Sequence, residues 1–392
     1  MMIVYQNQCF KFCKMIKWLF KYSAVIFVFN SILLAITFMI PLGKIIFLTL
    51  MGLYITVFLM NINQLKNVIF HKAFSFLLFI SILNFTYFII FHNIFDLEAI
   101  KYLLARSMQF SILALSIYFS FDYYKTRFLD HLIYLAVIVI FIGFVVNPYL
   151  LSGRYSGLMW NPNMLSSFIT IVFGVLLLKN DKFSRLDYFL LFLFFFVSLA
   201  TGSRGSIVAI ILAYVVRFGA TRRNIIYGFL ALIFTLFLLN LPYDTSVNRL
   251  FSQTIFNDRI LQYDFAIQSI YEKFYTGYGL DKYSYIDMNL VPSHLRGKVT
   301  GAHNGFLAIL TQYGVIFGSI ILFIILKKSF KVIIWFRHCN GSERAFLYII
   351  VYALFASVYE SILTGINEFH TSLFWLALSF LSLSRYKLEN EH

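Results

Sequence analysis

At 392 residues the chain is 60% hydrophobic and only 12% charged, where ordinary globular chains carry about 25% charged residues. Its apolar residues come in runs long enough to cross a bilayer, about 20 residues per helix, so a soluble domain is excluded and an all-α polytopic membrane protein is expected. The net charge of +15 does not point to nucleic acid, because the basic residues are scattered between apolar runs, as membrane topology requires.

In chain order, the N-terminal apolar run after Lys21 lacks a small-x-small cleavage site and reads as an uncleaved first helix rather than a signal peptide. About 12 transmembrane helices are expected, near 22–40, 45–60, 73–91, 106–121, 131–147, 164–178, 187–200, 206–219, 225–241, 305–326, 345–361 and 369–384. The second, seventh and eighth are short for a full crossing and are expected to be tilted, broken or differently bounded. This divides the chain into a bundle over 1–241, a large loop over 242–304, and a C-terminal part over 305–392 with a short tail.

Most Lys and Arg residues fall on the side that holds the N-terminus, from Lys11 and Lys14 to Arg385 and Lys387. Positive charge marks the inner side, so both termini are expected to be cytoplasmic. The loops at 148–163, 201–206 and 242–304 then share the outer side. Cys9, Cys13 and Cys339 fall inside, so no disulfide is expected, and no Cys/His cluster has metal-ligand spacing.

The 242–304 loop mixes acidic, basic and tyrosine residues. Within it, 257–274 reads as an amphipathic helix with Ile260, Leu261, Ile267, Ile270, Tyr271 and Phe274 on its buried side. Asn257 or Asp258 would cap it, Gly277-Tyr-Gly279 would stop it, and it would lie in the interface plane over the bundle.

Two polar knots could carry chemistry. Thr201-Gly-Ser203-Arg204-Gly-Ser206 is a tight hairpin between apolar spans. Its glycines let a ligand approach, Ser206 could cap the following helix, and an arginine at a helix N-terminus suits a phosphate. A snorkelling turn arginine has the same sequence signature. Gly301-Ala-His303-Asn304-Gly305-Phe opens the tenth span. A helix N-terminus disfavours imidazolium, so His303 could accept a proton there, and a capping histidine is the structural alternative.

Arg259 could be a second anion ligand, or a helix charge paired with Asp258 or Tyr263. Arg154, leading into Asn161-Pro-Asn163, is either a sugar-binding loop with Tyr155 and Trp160 as stacking faces or a plain connection. Glu360, Glu368 and His370 flank the last two spans and read as solvated interface residues. The span centres hold almost no ionisable groups, which a proton- or ion-coupled transporter would need.

Taken in order, Thr201–Ser206, Asn257-Asp-Arg259, Gly277-Tyr-Gly-Leu-Asp-Lys-Tyr283 and Ala302-His303-Asn304-Gly-Phe-Leu … Gln312-Tyr-Gly resemble the O-antigen ligase and polymerase superfamily, with Arg154 … Asn163 fitting its preceding outer loop. The resemblance implies a GT-C-like helical fold in the bacterial inner membrane with a periplasmic active site. It also implies transfer of a glycan from undecaprenyl diphosphate to a sugar hydroxyl, without metal or other cofactor. In that picture Arg204 and Arg259 hold the diphosphate and His303 acts on the acceptor hydroxyl. Arg154, Asn163, Ser203, Asn304 and Tyr263 would support the glycan or the site. The partners implied are the lipid-linked oligosaccharide, an acceptor glycan or lipid A–core, the bilayer and a chain-length regulator. Polymerase is the preferred activity and ligase the alternative. A lipid-linked oligosaccharide flippase, a transporter of similar span number, is the reading from another class.

Overall fold

The computed structural model describes residues 14–60, 62–150, 154–219, 221–224, 226, 230, 257–366 and 368–390. These residues form α-helices and short connections, with no strand among them. The helices are α1 (Lys14–Leu34), α2 (Ile40–Met60), α3 (Ile62–Ile69), α4 (Ser75–Phe91), α5 (Leu97–Phe119), α6 (Phe121–Thr126) and α7 (Phe128–Val146). They continue with α8 (Pro162–Lys179), α9 (Arg185–Ala200), α10 (Arg204–Phe218), α11 (Asn257–Glu272), α12 (Gly305–Trp335), α13 (Ser342–Ala356) and α14 (Phe369–Asn390). Every expected span except the ninth falls on one of them; residues 225–241 lie almost wholly outside the described set.

Among the described residues, six helical stretches are long and apolar enough to cross a membrane: Thr37–Thr56, Lys72–Phe91, Leu97–Phe119, Phe128–Val146, Pro162–Lys179 and Gly305–Trp335. The chain is an all-α, multi-pass membrane protein. Apolar residues on every face suit such helices, because lipid and protein interior are equally apolar surroundings. Internal hydroxyls, such as those of Ser31, Thr170 and Ser382, bond back to the carbonyl four residues earlier, which satisfies them where no water is at hand.

The centre of the bundle is built on α8, α13 and α14. Helix α14 is buried almost continuously from Phe369 to Ser384, whereas α2 is largely exposed on its surface. Tyr348 of α13 lies across Gly174 of α8, where a Cβ would collide with its ring. Its hydroxyl donates to Thr170 O at 3.2 Å and Ala209 O at 3.3 Å. One side chain thereby ties α8, α10 and α13 together beneath the 201–206 hairpin.

Helix α12 differs from the single span expected at 305–326. Its 31 residues would extend about 46 Å at 1.5 Å per residue, beyond a hydrocarbon core of about 30 Å. It breaks at Gly314, whose φ of 70° is left-handed, a conformation glycine adopts without a Cβ penalty. The chain at 274–279 docks into that break: Val315 N donates to Phe274 O (2.7 Å), Tyr278 N to Thr311 O (2.9 Å) and Gly279 N to Gln312 O (3.1 Å). At Gly277 and Gly314 the two backbones approach so closely that a side chain on either would strike the other. The Gly-Tyr-Gly and Gln-Tyr-Gly motifs are thus two halves of one backbone joint.

The loop helix α11 is present, but its buried side differs from the expected one. Gln262, Phe265, Ala266, Ser269 and Ile270 face inward and Leu261 is half-buried, while Ile260, Ile267, Tyr271 and Phe274 are exposed. The reason is its partner. Phe265 and Ala266 pack on the returning loop (Ile286, Val291, Val299, Ala302) and on Ala308 of α12, forming a small core of their own. Gln262, Ala266 and Ser269 between Phe265 and Ile270 allow that close packing, and Ile260, Ile267 and Tyr271 are left on the outer stripe.

Candidate active site

Both polar knots lie at the same end of the bundle. At this end Gly305 N donates to Ser357 O at 2.7 Å and Tyr155 N to Ala200 O at 3.0 Å. At the opposite end, Arg344 bonds Leu178 O and pairs with Asp181 at 2.8 Å, Arg217 also reaches Asp181, and Lys179 pairs with Asp130. The Arg344, Arg217 and Lys179 pairs and the two knots therefore occupy opposite ends.

Asn304 is the N-cap of α12. Its side-chain oxygen accepts from the N–H groups of Phe306 (2.9 Å) and Leu307 (3.0 Å), and its amide donates to Val358 O at 2.9 Å. This satisfies two of the orphan donors that begin a helix and fixes the connection between α13 and α14. Tyr263 of α11 donates to the same Val358 oxygen at 2.7 Å. His303 itself has φ of 39°, an uncommon conformation for a residue with a Cβ. It is held there because Ala302 N donates to Ser284 O at 3.1 Å and because Gly301 lies flat against Ser284.

The centre of the cluster is Glu360, in the connection 357–368. Its Oε2 lies 3.3 Å from His303 Nδ1, and its Oε1 accepts from Arg259 Nη2 at 2.8 Å. Arg259 Nη1 donates to Tyr359 O, and the guanidinium lies 5.5 Å from the centre of the Tyr359 ring. Burial alone would raise the Glu360 carboxyl, but the hydrogen bond with His303 and the charge of Arg259 outweigh it and hold the group below its ordinary value. A carboxylate only accepts, so the His303 proton sits on Nδ1 in the neutral ring and Nε2 is the acceptor. Thr300 Oγ1 lies 3.0 Å from Nε2.

Expectation and structure differ at several of these residues. Arg259 pairs with Glu360, not with Asp258 or Tyr263. Glu360, read from sequence as merely solvated, is the residue on which Arg259 and His303 converge. Glu368 and His370 pair with each other at 3.0 Å. The 201–206 hairpin reaches the cluster through Tyr359, since a Cβ on Gly205 would lie 2.9 Å from the Tyr359 hydroxyl. Ser203, not Ser206, takes the N-cap position, Arg204 is the first residue of α10, and Ser206 Oγ donates back to Ser203 O at 2.5 Å.

Arg154 donates to Asn163 Oδ1 at 2.8 Å, and Asn163 N bonds Asn161 Oδ1 at the start of α8. This loop meets the end of α9 beside the hairpin, through the Tyr155–Ala200 bond above. Tyr155 is 3% exposed and packs against Gly143 and Gly157, so it presents no stacking face; Trp160 is exposed. No group of His, Cys, Asp and Glu among the described residues has metal-site geometry.

Sequence reasoning also missed Arg106. It is 2% exposed, about midway along α5, and its guanidinium donates to Gln109 Oε1 (2.9 Å), Tyr102 Oη (3.3 Å) and Thr364 O. Gln109 continues the chain to Ile366 O at 3.1 Å. An arginine and a glutamine three residues apart on one apolar helix are a readable signal that the pair faces protein rather than lipid.

Residues 189–323 match the family model described as O-antigen ligase. The match covers roughly a third of the chain and includes Arg204, Arg259 and His303. The similarity to the O-antigen ligase and polymerase superfamily, read above from short motifs, therefore holds over a continuous stretch. Glu360 and Arg106, one on each side of the matched stretch, are brought to it only by the fold. No curated protein matches the chain.

Proposed function

We propose that this O-antigen ligase- and polymerase-like membrane protein is a surface-polysaccharide polymerase. It transfers a glycan from undecaprenyl diphosphate to a sugar hydroxyl of another lipid-linked repeat. The observation that carries the reading is the convergence of Arg259 and His303 on Glu360 beside the Arg204 hairpin, at the end of the bundle opposite the Arg344, Arg217 and Lys179 pairs. By the distribution of positive charge that end is periplasmic and both termini are cytoplasmic.

The residues divide the work. Arg204, at the start of α10, and Arg259 hold the donor's diphosphate. Two of the five N–H groups of Arg259 are committed to Tyr359 and Glu360, so others remain for phosphate oxygens. His303 Nε2 takes the proton of the acceptor hydroxyl as its oxygen attacks the anomeric carbon. The carbon–oxygen bond to the diphosphate breaks, and the arginines stabilise the charge that gathers on the leaving group. No metal is required for that step. Glu360 fixes the ring through Nδ1 and stabilises the imidazolium that forms. Attack opposite the diphosphate inverts the anomeric centre.

A second reading, transfer of a finished glycan to lipid A–core, is supported by the match to the O-antigen ligase family model and uses the same residues. Purified protein incubated with a single lipid-linked repeat separates the two. A ladder without lipid A–core supports polymerase, and product only after lipid A–core is added supports ligase. A flippase would move the lipid across vesicles and release no undecaprenyl diphosphate.

A further inference from the structure

Thr300, His303 and Glu360 form a hydroxyl–imidazole–carboxylate chain. Thr300 Oγ1 is 3.0 Å from Nε2, and Glu360 Oε2 is 3.3 Å from Nδ1. With the ring proton on Nδ1, the Thr300 hydroxyl donates to Nε2, the nitrogen that would receive the acceptor's proton. Thr300 is exposed and His303 is half-buried with a side chain 38% exposed, so the position is open to an incoming molecule. The spacing is the one that activates a hydroxyl nucleophile, and two roles follow from it. If Thr300 itself attacked the donor's anomeric carbon and displaced the diphosphate, it would form an O-glycoside to the sugar, whose alkoxide is a far poorer leaving group than diphosphate. The energy of the lipid-linked donor would be lost at that step. The alternative is that the side chain holds the place of another hydroxyl.

We propose that Thr300 Oγ1 occupies the acceptor-hydroxyl position on His303 Nε2 in the resting protein. The acceptor sugar therefore binds over Thr300 and displaces its side chain. This inference rests on the transferase reading and adds to it the location of the acceptor subsite and a protective role. While the acceptor is absent, the threonine keeps water from the base. Were water there, its oxygen would bond to the anomeric carbon as its proton passed to Nε2. The bond to the diphosphate would break, and the products would be free reducing glycan and undecaprenyl diphosphate. Gly301 confines Thr300 to this location, because it lies against Ser284, which is itself bonded to Ser361 Oγ at 2.8 Å.

The test uses the full-length protein in nanodiscs, with undecaprenyl-diphosphate-linked repeat extracted from a source strain lacking the protein. Free glycan and transferred glycan are measured together. In Thr300→Ala the ratio of free to transferred glycan is expected to rise about tenfold, a modest part of what a general base contributes. In Thr300→Val, whose branched side chain fills the same space, the ratio stays below that of the alanine variant. A second measurement needs no substrate: diethyl pyrocarbonate modifies His303 faster in Thr300→Ala than in wild type, read by peptide mass spectrometry. An unchanged ratio in Thr300→Ala overturns the proposal. So does loss of transfer in both variants with recovery in Thr300→Ser, which would make the hydroxyl a reactant. If wild type neither transfers nor hydrolyses the extracted donor, the transferase reading falls and the placeholder falls with it. The labelling result still reports whether Thr300 covers Nε2, so the two failures are distinguishable.

Discussion

At the scale of single residues, the site depends on how two side chains, Arg259 and His303, share one carboxylate. Glu360 accepts from Arg259 and faces His303 Nδ1, so replacing it disturbs the proposed base and the proposed anion ligand together. His303→Ala is expected to lower transfer by about 10²- to 10⁴-fold, the usual contribution of a general base, while the protein still inserts and folds. Polymer length on gels and single-turnover rates check this. Glu360→Gln is expected to cost about 10- to 100-fold, because the ring loses the partner that fixes its tautomer. The same carboxylate predicts a pH dependence. Its folded-state value is lowered, so the stabilisation it confers is complete at neutral pH and is lost only as the pH falls through that lowered value. Melting temperatures of wild type and Glu360→Gln in detergent are therefore expected to differ at pH 7 and to converge in strong acid.

At the scale of elements, the connection 357–368 is held from two sides. Asn304 and Tyr263 grip Val358 from the loop side, and Arg106 and Gln109 grip Thr364 and Ile366 from α5. Arg106 is a positioning residue in this account: it touches the segment that carries Glu360, not the site itself. Arg106→Met leaves the Thr364 carbonyl without that donor, which is expected to cost about 1–3 kcal/mol. Thermal unfolding in detergent measures it, and Arg106→Lys should recover part of the loss by keeping one donor. The joint between 274–279 and Gly314 makes the other demand. Gly277→Ala and Gly314→Ala each place a methyl group against backbone at a positive φ. Both are expected to loosen α11 from α12, seen as faster protease cleavage within the loop.

At the scale of the whole molecule, the opposite ends of the bundle hold different polar clusters. One end ties Arg344 and Arg217 to Asp181 and Leu178 O; the other brings Arg259 and His303 to a single carboxylate, beside the hairpin that carries Arg204. That asymmetry fits chemistry on one side of a membrane better than passage through it. In the proposed mechanism the arginines serve the leaving diphosphate directly, so a chelator is expected to leave the rate of transfer unchanged, whereas Arg204→Ala or Arg259→Ala is expected to reduce it by 10-fold or more. Radiolabelled donor with and without EDTA decides both points.

The helical membrane architecture was legible in the residues themselves. Apolar run length against bilayer thickness is a local property, and it located every helix that the described part of the expected spans contains. The same is true of the polar knots, because glycine, asparagine and a lone histidine at the mouth of an apolar run announce a departure from plain helix. What remained hidden depended on distance along the chain. Glu360 lies 57 residues from His303 and 101 from Arg259, and in sequence it resembles any acid at the edge of a span. Arg106 likewise finds its partner 258 residues away. The buried side of α11 was misread because hydrophobic periodicity identifies a stripe but not which neighbour will cover it. A side chain's chemistry is written at its own position. Which carboxylate it meets, and which face of a helix is covered, are decided only when the packed bundle brings distant segments to one end.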